Sequence, residues 1–441
     1  MTTRAAFIAA NRFGLGPRPG DLGAIAGDPR SWLAQQIAPV APTPAALEGL
    51  RSGVENTIVF QKARQRGDAA LQMELREGIR ATYLAEAAAR TRAQIESDAP
   101  FRERLVAFWS NHFTVSVQRP AIVGLAGAFE REAIRPYACG RFADMLRAVC
   151  RHQAMLLYLD NAISVGPDSR FGKQRQRGLN ENLAREILEL HTLGVNGGYT
   201  QGDVREFAKI LTGWSIARLE EGGGSYRYYE PIHQPGDKVL LGVRYAEAGE
   251  REGETALLAL ARHPSTANHI ASKFARHFIA DRPPAAAIER LAGIFRDTDG
   301  DLAALARAVV EAPEAWVEPM AKVKTPVEFV VSAFRATALE AEPERLVGSQ
   351  RLFGQAPFAA PSPAGWPDTA DQWIGPESVL RRAEWAMALA LRAERDNRPL
   401  PLFEATIAPV AASETRAAIL SAASLAEGIA LVIASAEFQR R

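Results

Sequence analysis

The sequence predicts a mainly α-helical protein, a large single-unit multi-helix bundle with a short β-hairpin inserted near residues 224–245. Apolar residues recur at helical spacing through most of the chain, and Gly, Pro and Asn separate these stretches. Short β-type runs occur only on either side of residues 230–238. Hydrophobic residues make up 47% and charged residues 23%, as in ordinary soluble globular proteins. We therefore expect one mainly helical domain over residues 1–441.

The predicted domain has five regions along the chain. These are N-terminal entry helices at 1–53, a long scaffold helix region at 54–98, central polar helices at 99–214, the β-hairpin at 224–245 and C-terminal helices at 250–441. The scaffold region predicts one long helix or two helices broken near Gly67. A Pro-rich stretch at 357–368 predicts an ordered loop, because its Phe358 and Trp366 need burial.

The most informative stretch is 178–214, where polar residues are most frequent within a helical pattern. If this stretch is an α-helix, successive side chains are rotated by about 100° around its axis. One sector of the helix surface, about 140° wide, then contains only polar side chains. These are Glu181, Asn182, Arg185, Glu186 and Glu189, while His191 falls on the opposite, apolar side. One interpretation is a solvated surface with i,i+4 ion pairs. The other is a cleft in which crowding raises a carboxyl pKa and provides a general acid or base.

The end of this helix is marked by turn residues. Gly194 follows the last periodic positions and predicts a helix stop, and Asn196 precedes two glycines in the following turn. Thr200 then predicts an N-cap, with Asp203 in the capping-box position usually taken by Glu or Gln. The stretch is therefore a helix, a tight turn and a second helix.

Further candidate site residues lie outside this stretch. His112 shares the aromatic side of the helix at 101–114 and is typical of a hydrogen-bonded core histidine, with a catalytic role as the alternative. Arg131 is expected to pair with the glutamates of the polar sector at residues 181–189. Arg131 and Asn182 are candidates for binding substrate. His233 and Lys238 at the hairpin tip are expected to be exposed and are further substrate-binding candidates.

Three basic residues, His269, Lys273 and His277, share one face of a later helix at i, i+4 and i+8. Its two histidines are about 12 Å apart by helical rise, which is too far for one metal ion on a straight helix. The sequence contains no metal-ligand spacing and no activated nucleophile motif. Whether a metal or another cofactor is bound stays unknown at this stage.

Composition excludes several classes of protein. A formal net charge of +1 argues against nucleic acid as a partner and against binding to anionic membranes. Cys139 and Cys150 give neither a disulfide framework nor a zinc pattern. No apolar run approaches the length of a membrane span. The first residues contain too short an apolar run for a signal peptide, so the expected location is cytoplasmic.

Several motifs occur together in one order along nearly the whole chain. They are RFGLGP, ERLVAFWSNHF, FEREAIRP, RHQAMLLYLDN, GLNENLAREILELHTLGVNGGYTQGDV, LTGW, HQPGDKVLLG, KTPVEFVVSAFRA and PSPAGWPD. With these motifs the chain resembles the bacterial "domain of unknown function 1800" family. The resemblance implies a single helical unit and a protein partner from the "domain of unknown function 1501" family, which resembles sulfatases and phosphatases. It also implies that relatives are exported, and it supplies no catalytic residues.

Three functional interpretations follow and stay open. The first is a hydrolase or transferase that uses Glu181, Glu186 or Glu189 as general acid or base, with Arg185, Arg131, His112 and His191 in support. The second is a metal-dependent enzyme with the same carboxylates and histidines. The third is a non-catalytic scaffold or maturation partner, whose polar helices form a buried ion-pair network.

Glu189→Gln distinguishes the catalytic interpretation from the scaffold. If Glu189 is a general acid or base, the substitution should leave the melting temperature nearly unchanged and remove activity, because it changes charge and not shape. Thermal unfolding and activity are the two measurements. A large loss of stability would contradict the catalytic interpretation.

Overall fold

The computed structural model describes residues 3–65, 69–175 and 178–441, and it confirms the mainly helical fold class. The described α-helices are α1 (Arg4–Ile8), α2 (Asp21–Ile25), α3 (Pro29–Ala34), α4 (Gly53–Gln65), α5 (Ala69–Glu96), α6 (Pro100–His112), α7 (Ala126–Phe129), α8 (Phe142–Arg151), α9 (Gln153–Tyr158), α10 (Arg170–Arg175), α11 (Asn182–Glu186), α12 (Gln201–Ile210), α13 (Glu250–Ala261), α14 (Pro264–Phe278), α15 (Ala285–Asp297), α16 (Leu302–Glu311), α17 (Pro326–Thr337), α18 (Pro343–Leu352), α19 (Pro376–Ala393), α20 (Pro399–Thr406), α21 (Ser413–Leu420) and α22 (Leu425–Ala434). None of these helices is long and apolar enough to cross a membrane.

Side-chain caps begin several of these helices where the sequence predicts them. The Thr200 hydroxyl accepts a hydrogen bond from the Asp203 amide at 3.2 Å, and the Asp203 carboxylate accepts one from the Thr200 amide at 2.8 Å. Aspartate therefore completes the capping box at the start of α12. Thr325 and Glu328 form the same arrangement at the start of α17. The predicted stop at Gly194 is also found, with a left-handed φ of 83°.

The long scaffold region is helical as predicted and forms α4 and α5. The predicted break near Gly67 lies outside the described residues. Further along, α11 continues into a π-helical turn at Ile187–His191. A π-turn has more residues per turn than an α-helix. The rotation of about 100° per residue used to predict the polar sector therefore does not apply to the end of this segment.

The β structure lies where the sequence predicts it, but the strands pair differently. Strand β1 (Trp214–Ile216) pairs antiparallel with β2 (Tyr226–Tyr228), and β3 (Lys238–Leu240) pairs antiparallel with β4 (Val243–Tyr245). A hairpin near residues 224–245 is thus confirmed, formed by β3 and β4, but the two β-type runs on either side of residues 230–238 do not pair with each other. Pro231 and Pro235 separate the two runs, and proline cannot donate to a strand ladder. The first β-type run pairs instead with the segment before it along the chain, and the second pairs with the segment after it.

Two hydrophobic cores account for most of the buried side chains. The larger core extends through residues from α1 to α16, and the second is formed mainly by α17 to α22. Helix α1 belongs to both, because Phe7 packs in the second core while Ala6 and Ile8 pack in the first. The two cores are thus parts of one mainly helical domain.

A buried ion-pair cluster connects the two cores. Glu328, in the first turn of α17, contacts Arg104 of α6, and it accepts a hydrogen bond from Arg441 Nε at 3.0 Å. Both arginines are at most 1% exposed. Burial alone would raise the pKa of Glu328, but Arg104 and Arg441 outweigh it and lower the pKa to about 2. Glu328 is therefore ionised between two guanidinium groups.

Glu328→Gln should lower the free energy of unfolding by about 3–5 kcal/mol, because it leaves the buried charges of Arg104 and Arg441 uncompensated. Urea unfolding at neutral pH measures this change. The matched control is Glu314→Gln, which breaks an ion pair with Arg290 in which both side chains are partly exposed. That control should cost at most about 1 kcal/mol. Equal effects of the two substitutions would contradict the prediction.

Candidate functional site

A cavity lies between α6, α14, the start of α17 and the loop of residues 355–369. Its volume of 370 Å³ is within the range of small-molecule sites. Apolar side chains form one part of its wall, among them Leu15, Ala107, Phe108, Val115, Ala126, Phe129, Pro357, Phe358, Ala360 and Trp366. Its charged corner is formed by residues of α14 and by the loop. An apolar wall with a few convergent polar groups is the usual form of a ligand site.

The corner contains a histidine held by a buried carboxylate. His277 Nδ1 lies 2.6 Å from Asp368 Oδ2. Burial alone would raise the pKa of Asp368, but His277, Lys322 and Arg441 outweigh it and hold the pKa far below its usual range. An ionised carboxylate only accepts hydrogen bonds, so the Nδ1 atom of His277 carries the proton.

The Nε2 atom of His277 has no hydrogen-bond partner and is closed off from solvent, although the ring is 13% exposed and lines the cavity. Aromatic rings lie beside it, with ring centroids 5.3 Å away for Phe108 and 4.7 Å for Phe278. Burial lowers the pKa of His277 despite the neighbouring carboxylate of Asp368. The ring is therefore neutral at pH 7, and Nε2 holds a free lone pair.

The loop places Asp368 through contacts on both sides. Asn111 binds the backbone of Trp366 twice, with its Nδ2 donating at 2.9 Å and its Oδ1 accepting at 2.7 Å. Gly365 has a φ of 83°, and a Cβ there would lie 2.4 Å from the Asn111 carbonyl oxygen. On the other side, Asp281 accepts a hydrogen bond from the Ala370 amide at 2.8 Å. The aspartate between these contacts is thus fixed without any regular secondary structure.

Two cations share the cavity face of α14 with the histidine. Lys273 is one turn before His277 and Arg276 is its neighbour, and both line the cavity. Burial lowers the pKa of Lys273 to about 8, and Arg276 lowers it further while Asp368 opposes the change. Lys273 is therefore mainly protonated at pH 7. Neither side chain has a hydrogen bond or an ion pair with another described residue; Lys273 is half-buried, whereas Arg276 is exposed.

Of the predicted site residues, His112 lines this cavity, and the others are outside the set of described residues that form its wall. His112 Nε2 lies 3.1 Å from the carbonyl oxygen of His191, which is the hydrogen-bonded core position that its aromatic spacing indicates. His191 is fully buried as predicted, and neither of its ring nitrogens has a partner among the described residues.

The predicted catalytic carboxylates of residues 181–189 differ in their contacts. Glu181 pairs with Arg185 at 2.9 Å and with Arg205 at 3.3 Å on the surface. Glu189 accepts a hydrogen bond from the Tyr199 hydroxyl at 3.3 Å. Burial and the nearby charge of Glu189 raise the pKa of the half-buried Glu186.

Two expectations about the remaining candidates are wrong. Arg131 pairs with Glu86 at 2.6 Å and not with the Glu-rich face, because helix α5 lies beside it. His233 and Lys238 are buried and not exposed, since both contact Glu252 of α13 beneath the β structure. The salt bridge of Lys238 with Glu252 is 2.7 Å long. Asn182 is exposed.

The profile of the family described as "Protein of unknown function (DUF1800)" matches residues 8–440 of this chain. The chain belongs to the DUF1800 family. The resemblance predicted from its motifs is thereby confirmed over almost the full length. No curated protein and no solved structure matches this DUF1800 chain. Family membership identifies no catalytic residues.

The cavity residues of this DUF1800 protein are only partly visible in its sequence. Helical spacing places Lys273 and His277 on one face, as the structure confirms, but it does not indicate that Asp368 lies opposite them across 91 residues. The signal for Asp368 is its position at the end of PSPAGWPD, a loop with buried aromatic anchors. Within the described ranges, no group of three or more His, Cys, Asp or Glu side chains is placed to hold a metal ion.

Acid should destabilise the fold through His191. Burial lowers the pKa of His191 from 6.5 to about 3, so only the unfolded chain takes up this proton between these values. Its contribution to stability is complete above pH 6.5 and is lost as the pH falls, by about 2 kcal/mol at pH 5. Urea unfolding of the wild type and of His191→Phe at pH 7.5 and pH 5 measures it. An equal acid loss in both proteins would contradict this assignment.

Proposed function

We propose that this DUF1800 protein is a hydrolase or transferase whose general base is His277, oriented by Asp368 within the cavity. One observation carries the proposal: His277 lines the cavity with its Nδ1 fixed by an ionised carboxylate, while its Nε2 is shielded and has no partner. A buried acceptor left unpaired costs about 1–3 kcal/mol, so such an atom is expected to serve a purpose.

The chemistry is a proton transfer to Nε2. The base removes the proton of an O–H group, from water in a hydrolase or from an acceptor hydroxyl in a transferase, and the oxygen then attacks the substrate. The resulting imidazolium is stabilised by the carboxylate of Asp368. Nε2 is shielded in the unliganded protein, so a small shift of the His277 or Phe108 ring must open it when substrate binds.

Lys273 supplies the complementary charge. Its ammonium group is mainly protonated at pH 7 and lies on the same helix face as the neutral His277. It can therefore donate a proton to a leaving group or stabilise negative charge that develops on the substrate. A base and an acid whose surroundings lower their pKa values to different extents are a common basis for acid–base catalysis near neutral pH.

The carboxylates of the central helix offer a second location for acid–base chemistry, as the sequence predicts. The raised pKa of Glu186 supports this location, whereas the surface ion pairs of Glu181 favour a structural role for that residue. Since Glu186 and Glu189 are outside the wall of the large cavity, we place the reaction at His277. A catalytic role for Glu181, Glu186 and Glu189 stays a prediction.

A non-catalytic scaffold or maturation role is the other candidate, with a "domain of unknown function 1501" protein as the predicted partner. The observation in its favour is the buried pairing of Glu328 with Arg104 and Arg441, which fixes helices relative to one another without chemistry. Size-exclusion chromatography of the two purified proteins together tests this role. A stable complex that forms equally well with His277→Gln would favour the scaffold over the enzyme.

His277→Gln should reduce kcat/KM by about 10²–10⁴-fold in a panel of chromogenic esters, phosphate monoesters, sulfate esters and glycosides, because the general base is lost. The pH profile of the wild type should be bell-shaped. It should rise through the pKa of neutral His277, which lies below 6.5, and fall above about 8 as Lys273 loses its proton. Steady-state kinetics against pH measure both effects.

The matched control is His269→Gln, two turns earlier on α14. His269 Nε2 bonds the carbonyl oxygen of Leu190 at 3.0 Å, and the residue is not among those that line the cavity. This control should retain activity. Full activity of a folded His277→Gln protein, or equal losses in both variants, would contradict the proposed base.

A further inference from the structure

The charged groups that line the cavity do not balance. Arg90 is paired with Glu130 at 2.7 Å, and Arg104 contacts Glu328. The two carboxylates in the wall, Glu328 and Asp368, are likewise held by cations. Lys273 and Arg276 remain, without an anionic hydrogen-bond partner among the described residues, and they lie on adjoining positions of one helix face. The cavity therefore has a local excess of positive charge.

Half-burying the unpaired ammonium group of Lys273 is unfavourable, because the group loses part of its hydration without gaining a partner. The lowered pKa of Lys273 reflects this loss. A ligand with negative charge would restore the balance, since charge-assisted hydrogen bonds in a partly dry site are roughly twice as strong as neutral ones. Apolar side chains in the wall, among them Phe108 and Trp366, strengthen such an interaction further.

A second group in the same wall lacks a partner. Gln94 is 3% exposed and lines the cavity, and its Oε1 atom is buried without a donor. An amide oxygen can be satisfied only by a donor such as a hydroxyl or an amine. His277 Nε2 has the same requirement. The cavity thus presents cations for an anionic group and acceptors for hydroxyl groups.

From these two observations, we infer that the cavity binds a small organic oxyanion that carries at least one hydroxyl group. The anionic group lies against Lys273 and Arg276, and the hydroxyl donates to Gln94 Oε1. Phosphate, sulfate and carboxylate share this chemistry. This inference deepens the proposed function and rests on it, because it defines the substrate class for the base at His277.

Isothermal titration calorimetry at pH 7 with three probes tests the inference. Inorganic phosphate carries only the charge, glycerol only the hydroxyl groups, and glycerol 3-phosphate both. We expect phosphate to bind, glycerol alone not to bind measurably, and glycerol 3-phosphate to bind about three- to tenfold more tightly than phosphate, as one added hydrogen bond implies. Titration with sodium sulfate and sodium acetate then ranks the anionic groups. Absence of binding by every anion would overturn the inference.

Single substitutions test the anion-binding part and the hydroxyl-binding part of the site separately. Lys273→Met and Arg276→Gln should each weaken phosphate binding by about fivefold or more, because each removes one cation. The matched control is Arg282→Gln, an exposed arginine just beyond α14 that is not among those lining the cavity, and it should change binding less than twofold. Gln94→Leu should leave phosphate binding unchanged and abolish the gain from glycerol 3-phosphate. Equal weakening by Arg282→Gln would show a general charge effect and overturn the site.

Failure of this inference can be separated from failure of the proposed function. His277→Gln removes the proposed base but neither cation, so it should bind phosphate like the wild type. If anion binding follows these expectations while His277→Gln keeps its activity, the ligand site stands and the base is wrong. If His277→Gln loses activity but Lys273→Met and Arg276→Gln bind phosphate normally, the base stands and the ligand class is wrong.

Discussion

The arrangement of this DUF1800 protein depends on placing buried carboxylates between cations. Glu328 lies between Arg104 and Arg441, and Asp368 lies between His277, Lys322 and Arg441. A single unpaired charge in such a place would cost several kcal/mol, so each member requires the others. Arg441 contacts both carboxylates, which joins the ion pairs between the cores to the charged corner of the cavity. The geometry of the cavity therefore follows from the same interactions that hold the helices together.

Against these paired charges, the two cations without a partner, Lys273 and Arg276, are exceptions. Across the described residues, most buried charges near the cavity have a partner of opposite sign, and buried arginines also bind backbone carbonyls, as Arg335 does with Gly16 at 2.7 Å. The half-buried Lys273 departs from this pattern in the same place where His277 Nε2 lacks a donor, and the exposed Arg276 lies beside it. Proteins commonly concentrate such unfavourable features at sites of binding or reaction, because a ligand relieves them.

Periodicity and turn chemistry in the sequence predict most of the local structure. The capping box of Thr200 and Asp203, the stop at Gly194 and the burial of His191 all follow from neighbouring residues, and the structure confirms them. Features that depend on distant segments were not predictable. The sequence does not indicate that Arg131 would find Glu86, that Lys238 would be buried on Glu252, or that Asp368 would face His277, because these contacts join elements far apart in the chain.

The position of α1 between the two cores has a consequence for biosynthesis. Phe7 is buried only when α17 to α22 pack against it. Arg12 donates a hydrogen bond to the carbonyl oxygen of Ala315 at 2.7 Å, 303 residues away along the chain. Closing such long loops is entropically costly and slow compared with local helix formation. Helix α1 is thus fully packed only after α17 to α22 have been synthesised, and the cavity wall, which takes residues from Leu15 to Thr369, is assembled late. Apolar surface of α1 is exposed throughout this interval, and its protection until α22 has been synthesised becomes a requirement for producing this protein without aggregation.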